Sequence, residues 1–170
     1  MRVAGIALAI GLAVALQTTL ARFVMRGTVA VDLVLVAVVY VALTSGPVTG
    51  LLTGTVAGLI QDSLAASSII GIGGLAKTVV GFLAGVIGTQ FIVSQSLPRF
   101  VVFLGATVVH AAIFMGLYAV LDARHFGTPY AAVGGQAVGN AVVGVLAFQL
   151  VELLPGAMER RRVQRTRLRR

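Results

Sequence analysis

Long apolar segments recur along this chain, and they restrict its fold more than any other feature. The first extends from Val3 to Ala21, and the later ones are separated by short polar or glycine-containing stretches. Of the 170 residues, 58% are hydrophobic and 11% are charged, whereas soluble domains average about 25% charged residues. A soluble domain of this length leaves about a third of its unfolded surface exposed, so it could not bury this much apolar surface. The chain is therefore predicted to be an integral membrane protein.

Six of these segments are predicted to be transmembrane helices, since a helix needs about 20 apolar residues to cross the hydrocarbon core. They cover residues 3–21, 29–43, 47–62, 71–93, 100–121 and 130–154. None alternates apolar and polar residues as the strands of a membrane barrel do, so we predict an all-α polytopic fold. The predicted six-helix transmembrane domain covers residues 1–155, and Pro155 and Gly156 are predicted to end its last helix. A short tight turn is predicted at residues 44–47, where Pro47 suits the first turn of a helix.

The basic residues are distributed unevenly, and their positions predict the orientation of the chain. Thirteen Lys and Arg residues against five Asp and Glu residues give a net charge of +8. Seven of the thirteen lie in a tail that covers residues 156–170: Arg160, Arg161, Arg162, Arg165, Arg167, Arg169 and Arg170. Because Lys and Arg are retained on the cytoplasmic side, six spans with this tail inside place both termini in the cytoplasm.

The basic tail is predicted to fix this topology and to lie on anionic membrane lipids. Such contacts contribute about 1 kcal/mol per basic residue near the surface. Nucleic acid is not a predicted partner, because the tail has no aromatic residue for stacking and lipid phosphate is closer. Docking of a protein on the tail is the alternative.

Small residues recur at intervals of four in the third predicted span. The series consists of glycines and ends in a carboxylate: Gly46, Gly50, Gly54, Gly58 and Asp62. Residues four apart share one helix face, and a face without side chains lets another helix approach closely. The fourth span carries a comparable set: Gly74, Gly81 and Gly85. We predict a close helix-packing interface, whose partner could be another helix of this chain or another protein.

Lys77 lies in GIGGLAKT, residues 71–78, which differs from a phosphate-binding loop by having Ala76 where the pattern requires glycine. The segment is part of a predicted membrane helix without a preceding strand, so nucleotide binding is not predicted. A lysine at this depth is costly unless it is paired or reaches the interface. Asp62 and Lys77 flank the same loop, so we predict an ion pair between them. The alternative is that Lys77 extends to the lipid headgroups.

The other polar residues form no catalytic or metal-binding pattern. The sequence has no cysteine, no G-x-S-x-G motif and no H-E-x-x-H motif, so no catalytic residue, metal or cofactor is predicted. His110 lies in the middle of the fifth span, where no acidic or histidine partner is evident, and is predicted to make an interhelical hydrogen bond. Four residues lie near predicted span ends, where hydration is expected: Gln17, Asp32, Gln149 and Glu152.

The second to fourth spans also carry motifs that occur together in a known family. These motifs are VDLVLVAVVYVAL, GLLTGTVAGLIQDSL and GIGGLAKTVVGFLAG. They resemble the MreD family of rod shape-determining membrane proteins. The matching positions are Gly54, Gly58, Asp62, Gly71, Leu75, Lys77, Gly81, Phe82 and Gly85. Val31 departs from the pattern, since the family usually has proline there.

This resemblance implies a non-enzymatic scaffold of the cell-elongation machinery in the bacterial inner membrane. Its implied partners are the bitopic protein MreC, MreB-like filaments and the glycosyltransferase–transpeptidase pair that builds lateral peptidoglycan. The resemblance also implies a fold similar to the substrate-binding subunits of ECF-type vitamin transporters. Binding of a vitamin as such a subunit is the alternative function, although the chain has no Trp and three Tyr to line a pocket. Self-association as a homo-oligomer is left open.

Overall fold

The computed structural model describes residues 3–24, 31–65, 69–91, 95–121 and 130–167, with side chains over 4–19, 31–65, 69–91, 95–121 and 130–153. These residues form six helices. They are α1 (Val3–Val24), α2 (Leu33–Ser45), α3 (Pro47–Leu64), α4 (Ile72–Gln90), α5 (Ser96–Val120) and α6 (Tyr130–Arg167). The predicted all-α class is confirmed.

Three of the described helices are long and apolar enough to cross a membrane. They are α4, α5 and the Tyr130–Leu153 part of α6. Ala4–Thr19 and Leu33–Ser45 are apolar but shorter. The chain therefore has the helices of an integral membrane protein, and the count of six spans stays a prediction.

The central helix of the bundle is α2, which contacts each of the other five described helices. Most of its circumference is buried, through Val34, Leu35, Val36, Val38, Val39, Val41 and Ala42. A helix that is hydrophobic all round is a buried helix. On one side Val34 and Val38 pack against Ile10 and Ala13 of α1.

The opposite side of α2 packs against α4, α5 and α6. Leu35 and Val39 belong to a buried cluster with Val80 of α4, Phe103 of α5 and Phe148 of α6. This cluster and the one on α1 place the centre of the bundle around α2, and Asp32 at the start of α2 is buried there.

The start of α2 lies inside the bundle, later in the chain than the predicted span start at Val29. Asp32 is the N-cap residue, and its Oδ1 accepts a hydrogen bond from the Leu35 backbone N–H at 2.9 Å. Aspartate is among the preferred N-cap residues, which explains why the helix begins here. With 13 residues, α2 is about 20 Å long, shorter than the roughly 30 Å hydrocarbon core.

A single glycine connects α2 to α3, at the turn predicted from the sequence. Gly46 has a φ of +90°, in the region that favours glycine, and its N–H donates to the Ala42 carbonyl at 2.9 Å. Pro47 is the first residue of α3, where its missing N–H has no helical partner to lose. The two helices therefore reverse direction within one residue.

The backbones of α3 and α4 are in contact along a row of glycines. The facing pairs run in opposite directions along the two helices: Gly50 with Gly81, Gly54 with Lys77 and Gly58 with Gly74. A β-carbon added at Gly58 would lie 2.5 Å from the Cα of Gly74, closer than real β-carbons come to other atoms. Farther along, Gly85 lies against Pro47. The predicted glycine series therefore lies between two helices of the same chain.

Two helices extend beyond their predicted bounds through a proline. Pro98 lies in the first turn of α5, which begins at Ser96 rather than Phe100, because N–H groups of the first turn have no helical partner. Pro155 was predicted to end α6 together with Gly156, but the α6 backbone continues to Arg167. An interior proline removes one hydrogen bond and can kink a helix without ending it. The tail arginines lie outside the residues whose side chains are described.

Candidate functional site

A buried polar centre lies where the start of α2 meets α4, α5 and α6. Asp32 is 5% exposed, and it uses its main chain and its side chain in different directions. Its backbone N–H donates to Asn140 Oδ1 of α6 at 2.9 Å, and its Oδ2 lies 2.9 Å from Lys77 Nζ of α4. The same carboxylate caps α2 through Leu35. Asp32 therefore joins three helices.

The first N–H groups of α2 need partners because water is excluded from the bundle interior. Side chains from the surrounding helices provide them. The Leu33 N–H donates to Gln17 Oε1 of α1 at 2.7 Å, while Asn140 and Asp32 accept the N–H groups of Asp32 and Leu35. Gln17 and Asp32 were expected to be hydrated at span ends. The structure corrects this for Asp32, which is buried because α2 begins inside the bundle, whereas Gln17 is half-buried.

Lys77 is 3% exposed and supplies the positive charge of the centre. Its Nζ contacts Asp32 Oδ2 at 2.9 Å and His110 Nε2 of α5 at 3.2 Å. A lysine ammonium has hydrogens to donate and no lone pair, so Nε2 of His110 accepts and the ring is neutral, with its proton on Nδ1. The imidazole is stacked on Phe114 with ring centroids 5.9 Å apart.

The interhelical hydrogen bond predicted for His110 is confirmed. The expectation that it has no acidic partner at its depth was wrong, since Asp32 is one contact away through Lys77.

Asn140 and Thr107 extend the centre between α5 and α6. Both are 1% exposed. Asn140 Nδ2 donates to Thr107 Oγ1 at 3.0 Å, and Thr107 in turn donates to the Phe103 carbonyl one turn earlier at 2.9 Å. The amide orientation follows from its two contacts, because Oδ1 accepts from Asp32 and Nδ2 donates to Thr107.

The charges of this centre balance, with one ammonium, one carboxylate and a neutral imidazole. Buried charges are tolerated when they are paired and hydrogen-bonded, and each ionised group here has both kinds of contact. The centre connects α1, α2, α4, α5 and α6 through side chains. Its chemistry suits the fixing of helix positions.

Asp62 lies at a different place from the one predicted, and this corrects the proposed Asp62–Lys77 pair. Its Oδ2 accepts from the backbone N–H groups of Gly71 at 2.9 Å and Gly74 at 3.0 Å, at the start of α4. A carboxylate is favourable at a helix N-terminus, where N–H groups lack partners. A β-carbon at Gly73 would overlap the Asp62 carboxylate, so glycine makes room for it.

The register of α3 and α4 explains the changed partner of Lys77. Gly54, rather than Asp62, lies against the Lys77 carbonyl. Gly54 and Asp62 are eight residues apart, which is about 12 Å along a helix. The Lys77 ammonium is directed to Asp32 and His110.

A second ion pair lies near the start of α5. Arg99, which is buried, donates from Nη2 to Glu152 Oε1 of α6, and its guanidinium lies over the Phe148 ring at 4.3 Å from the centroid. Glu152 and Gln149 are both exposed on the surface of the bundle, and their hydration stays a prediction. This pair links the first turn of α5 to α6.

Sequence reasoning missed the residues that complete the centre. The sequence places Asp32 at a span end where hydration is expected, and it assigns no role to Asn140 or Thr107. One signal was available, since a helix as uniformly apolar as α2 must be buried and its N-cap residue is then buried too. Asn140 and Thr107 carry no comparable local signal.

An all-helical apolar bundle held by a buried, charge-balanced centre defines the protein as a polytopic membrane protein. Residues 2–154 match the family described as rod shape-determining protein MreD. The chain therefore belongs to the MreD family, as the motifs of the second to fourth spans indicated. The family and the long apolar helices indicate a rod shape-determining protein integral to the inner membrane. No curated protein and no solved structure matches the chain.

Proposed function

We propose that this protein is a non-enzymatic membrane scaffold of the bacterial cell-elongation machinery. The observation that carries the proposal is the family match over residues 2–154. The buried centre supports it, because Lys77 contacts both Asp32 and His110 inside the bundle. Groups used in this way hold helices in place. A scaffold needs such a fixed bundle in order to present constant surfaces to its partners.

The proposed scaffold crosses the membrane with six helices and has both termini in the cytoplasm. The Arg99–Glu152 pair is compatible with this topology, since it joins the start of α5 to the late part of α6. In the proposed orientation this pair lies toward the cytoplasmic surface. Residues 1–155 would form the transmembrane domain and residues 156–170 the basic cytoplasmic tail.

The proposed direct partner is an MreC-like bitopic protein. Through it or by direct contact, the scaffold would join MreB-like filaments and the glycosyltransferase–transpeptidase pair, and so help set rod shape and lateral peptidoglycan synthesis. Apolar side chains on the outer faces of the bundle, such as Leu12 of α1 and Val101 of α5, are exposed to lipid or to a partner helix. A single transmembrane helix is compatible with surfaces of this chemistry.

Co-purification tests the proposed partner. The tagged full-length protein is produced together with the MreC-like protein of the same organism and extracted from membranes in mild detergent. We expect the MreC-like protein to be retained, and a bitopic inner-membrane protein of unrelated function to be washed away. Equal recovery of the two would contradict the proposal.

A second readout tests the cellular role. In rod-shaped cells depleted of their own family member, the protein should restore rod shape when it is expressed with its MreC-like partner. Cells that stay round while the protein accumulates in the membrane would argue against the scaffold function.

The tail prediction concerns residues 157–170. Truncation after Gly156 removes all seven tail arginines, and with them the lipid attraction of about 1 kcal/mol per residue. We expect modestly weaker membrane retention or orientation, measured by protease accessibility in spheroplasts, and unchanged co-purification of the MreC-like protein. Replacing the seven arginines with lysines keeps the charge and is the matched control. Loss of the partner on truncation would instead make the tail a docking site.

A further inference from the structure

We propose that the contact between Lys77 and His110 is a proton-sensitive site that makes the packing of α2 depend on pH. Two basic nitrogens lie 3.2 Å apart in the buried centre, Nζ of Lys77 and Nε2 of His110. Among the residues whose side chains are described, the one carboxylate in contact with them is that of Asp32, 2.9 Å from Nζ. The centre therefore holds two bases and a single negative charge.

At neutral pH this site holds one proton fewer than its two bases can carry. Lys77 is the protonated base of the two, because its ammonium donates both to the Asp32 carboxylate and to the imidazole. His110 accepts through Nε2 and is neutral. One ammonium and one carboxylate leave the centre without net charge, which is the arrangement that burial favours.

A second proton has no compensating charge. On Nε2 of His110 it would remove the acceptor of the Lys77 hydrogen bond and place two cations 3.2 Å apart. The carboxylate of Asp32 is already used on both oxygens, Oδ1 by the Leu35 N–H and Oδ2 by Lys77. Protonation would thus leave a net positive charge in a buried site, which is costly.

Among the residues that the structure describes, the groups around His110 supply no further negative charge to compensate a second proton. From α4 it faces Lys77 and from α2 it faces Asp32, while the nearest polar group of α6 in the centre is the neutral amide of Asn140. On α5 itself the ring stacks on Phe114. Tyr118 follows Phe114, with ring centroids 4.9 Å apart, and its hydroxyl accepts from the Ile69 N–H.

The sign of the pH effect follows from this geometry. The unfolded chain accepts a proton on histidine near the ordinary value of about pH 6.5 without meeting a second cation. Acid therefore favours states in which His110 is separated from Lys77, and stability present above about pH 6.5 is lost as the pH falls. Since Lys77 and Asp32 are linked, the start of α2 is the part of the bundle that this proton loosens.

Thermal unfolding followed by helical circular dichroism tests the proposal. The full-length protein in nanodiscs is compared with His110→Gln, whose neutral side chain can accept from Lys77 and does not titrate in this range. Between pH 8 and pH 5 we expect the midpoint of the unmodified protein to fall by about 4 °C or more, and that of His110→Gln to change much less. His125→Gln, which removes the other histidine, should retain the full pH dependence. Absence of pH dependence in the unmodified protein, or its persistence in His110→Gln, would overturn the proposal.

Nuclear magnetic resonance of the histidine nitrogens gives a second measurement that does not need a folded His110 variant. In His125→Gln the remaining imidazole signal belongs to His110. We expect a neutral ring with its proton on Nδ1 at pH 7.5, and the ring of the folded protein should still be neutral at pH 6, where a histidine of the unfolded chain is already mostly protonated. A ring that is doubly protonated at pH 7.5, or one that titrates in the folded protein near pH 6.5 as in the unfolded chain, would contradict the proposal.

Discussion

Lys77→Met should lower the free energy of unfolding by about 3–5 kcal/mol, the range for removing one partner of a buried ion pair. Lys77 and Asp32 are 3% and 5% exposed, so neither charge can be solvated when the other is removed. Methionine has a similar length and fills the space without a charge. The variant therefore leaves the Asp32 carboxylate buried and unpaired, and it also removes the donor to His110. Reversible unfolding in mixed micelles measures the loss.

A second substitution identifies the partner of Lys77. Asp32→Asn removes the negative charge but preserves the cap of α2, because asparagine is about as good an N-cap residue as aspartate. The double variant Lys77→Met with Asp32→Asn should therefore recover a large part of the lost stability.

Lys77→Met combined with Asp62→Asn is the matched control, and it should recover none. If the Asp62 combination recovers stability and the Asp32 combination does not, Lys77 is paired with Asp62 as first predicted.

Gly54→Leu is expected to separate α3 from α4. A β-carbon at Gly54 would overlap the Lys77 carbonyl, a main-chain group that can move only if the whole helix moves. Overpacking typically costs about 1–3 kcal/mol, and we expect a loss at or above the upper end because the contact involves backbone atoms. Membrane accumulation and the unfolding midpoint should both fall. Because Lys77 itself would shift, the buried centre should also be disturbed.

Gly116→Leu in α5 is the matched control for this substitution. A β-carbon there would meet nothing within 4 Å, so the protein should accumulate normally. The alanine variants give a milder comparison. Gly54→Ala should destabilise, whereas Gly116→Ala should be neutral or stabilising by up to about 1 kcal/mol through helix propensity. Equal stability of Gly54→Leu and Gly116→Leu would mean that α3 and α4 do not touch along this row.

The features that depend on nearby residues were predictable from the sequence. The turn at Gly46 and Pro47 follows from the backbone preferences of two residues. The glycines at intervals of four follow from the geometry of one helix, which places them on one face. The motifs of the second to fourth spans are sufficient by themselves to indicate the family.

The partners of the buried polar residues were not predictable in the same way. Lys77 and Asp62 are neighbours across one short loop, and this proximity favoured the wrong pair. Asp32, 45 positions before Lys77, reaches it only because α2 occupies the centre of the bundle. The helix N-terminus of α4 competes for Asp62, and no pattern in the sequence shows that competition.

Sequence alone determined that this protein is helical, apolar and a member of the MreD family. The reason is that lipid allows few ways to satisfy a backbone, and apolar length is read directly from the residues. Only the tertiary structure decided which charge meets which. A buried charge requires a partner within hydrogen-bond distance, and that distance depends on helix register and on which helix is central. Here the glycine contacts set the register of α3 against α4, and the central position of α2 brings Asp32 to Lys77 and His110.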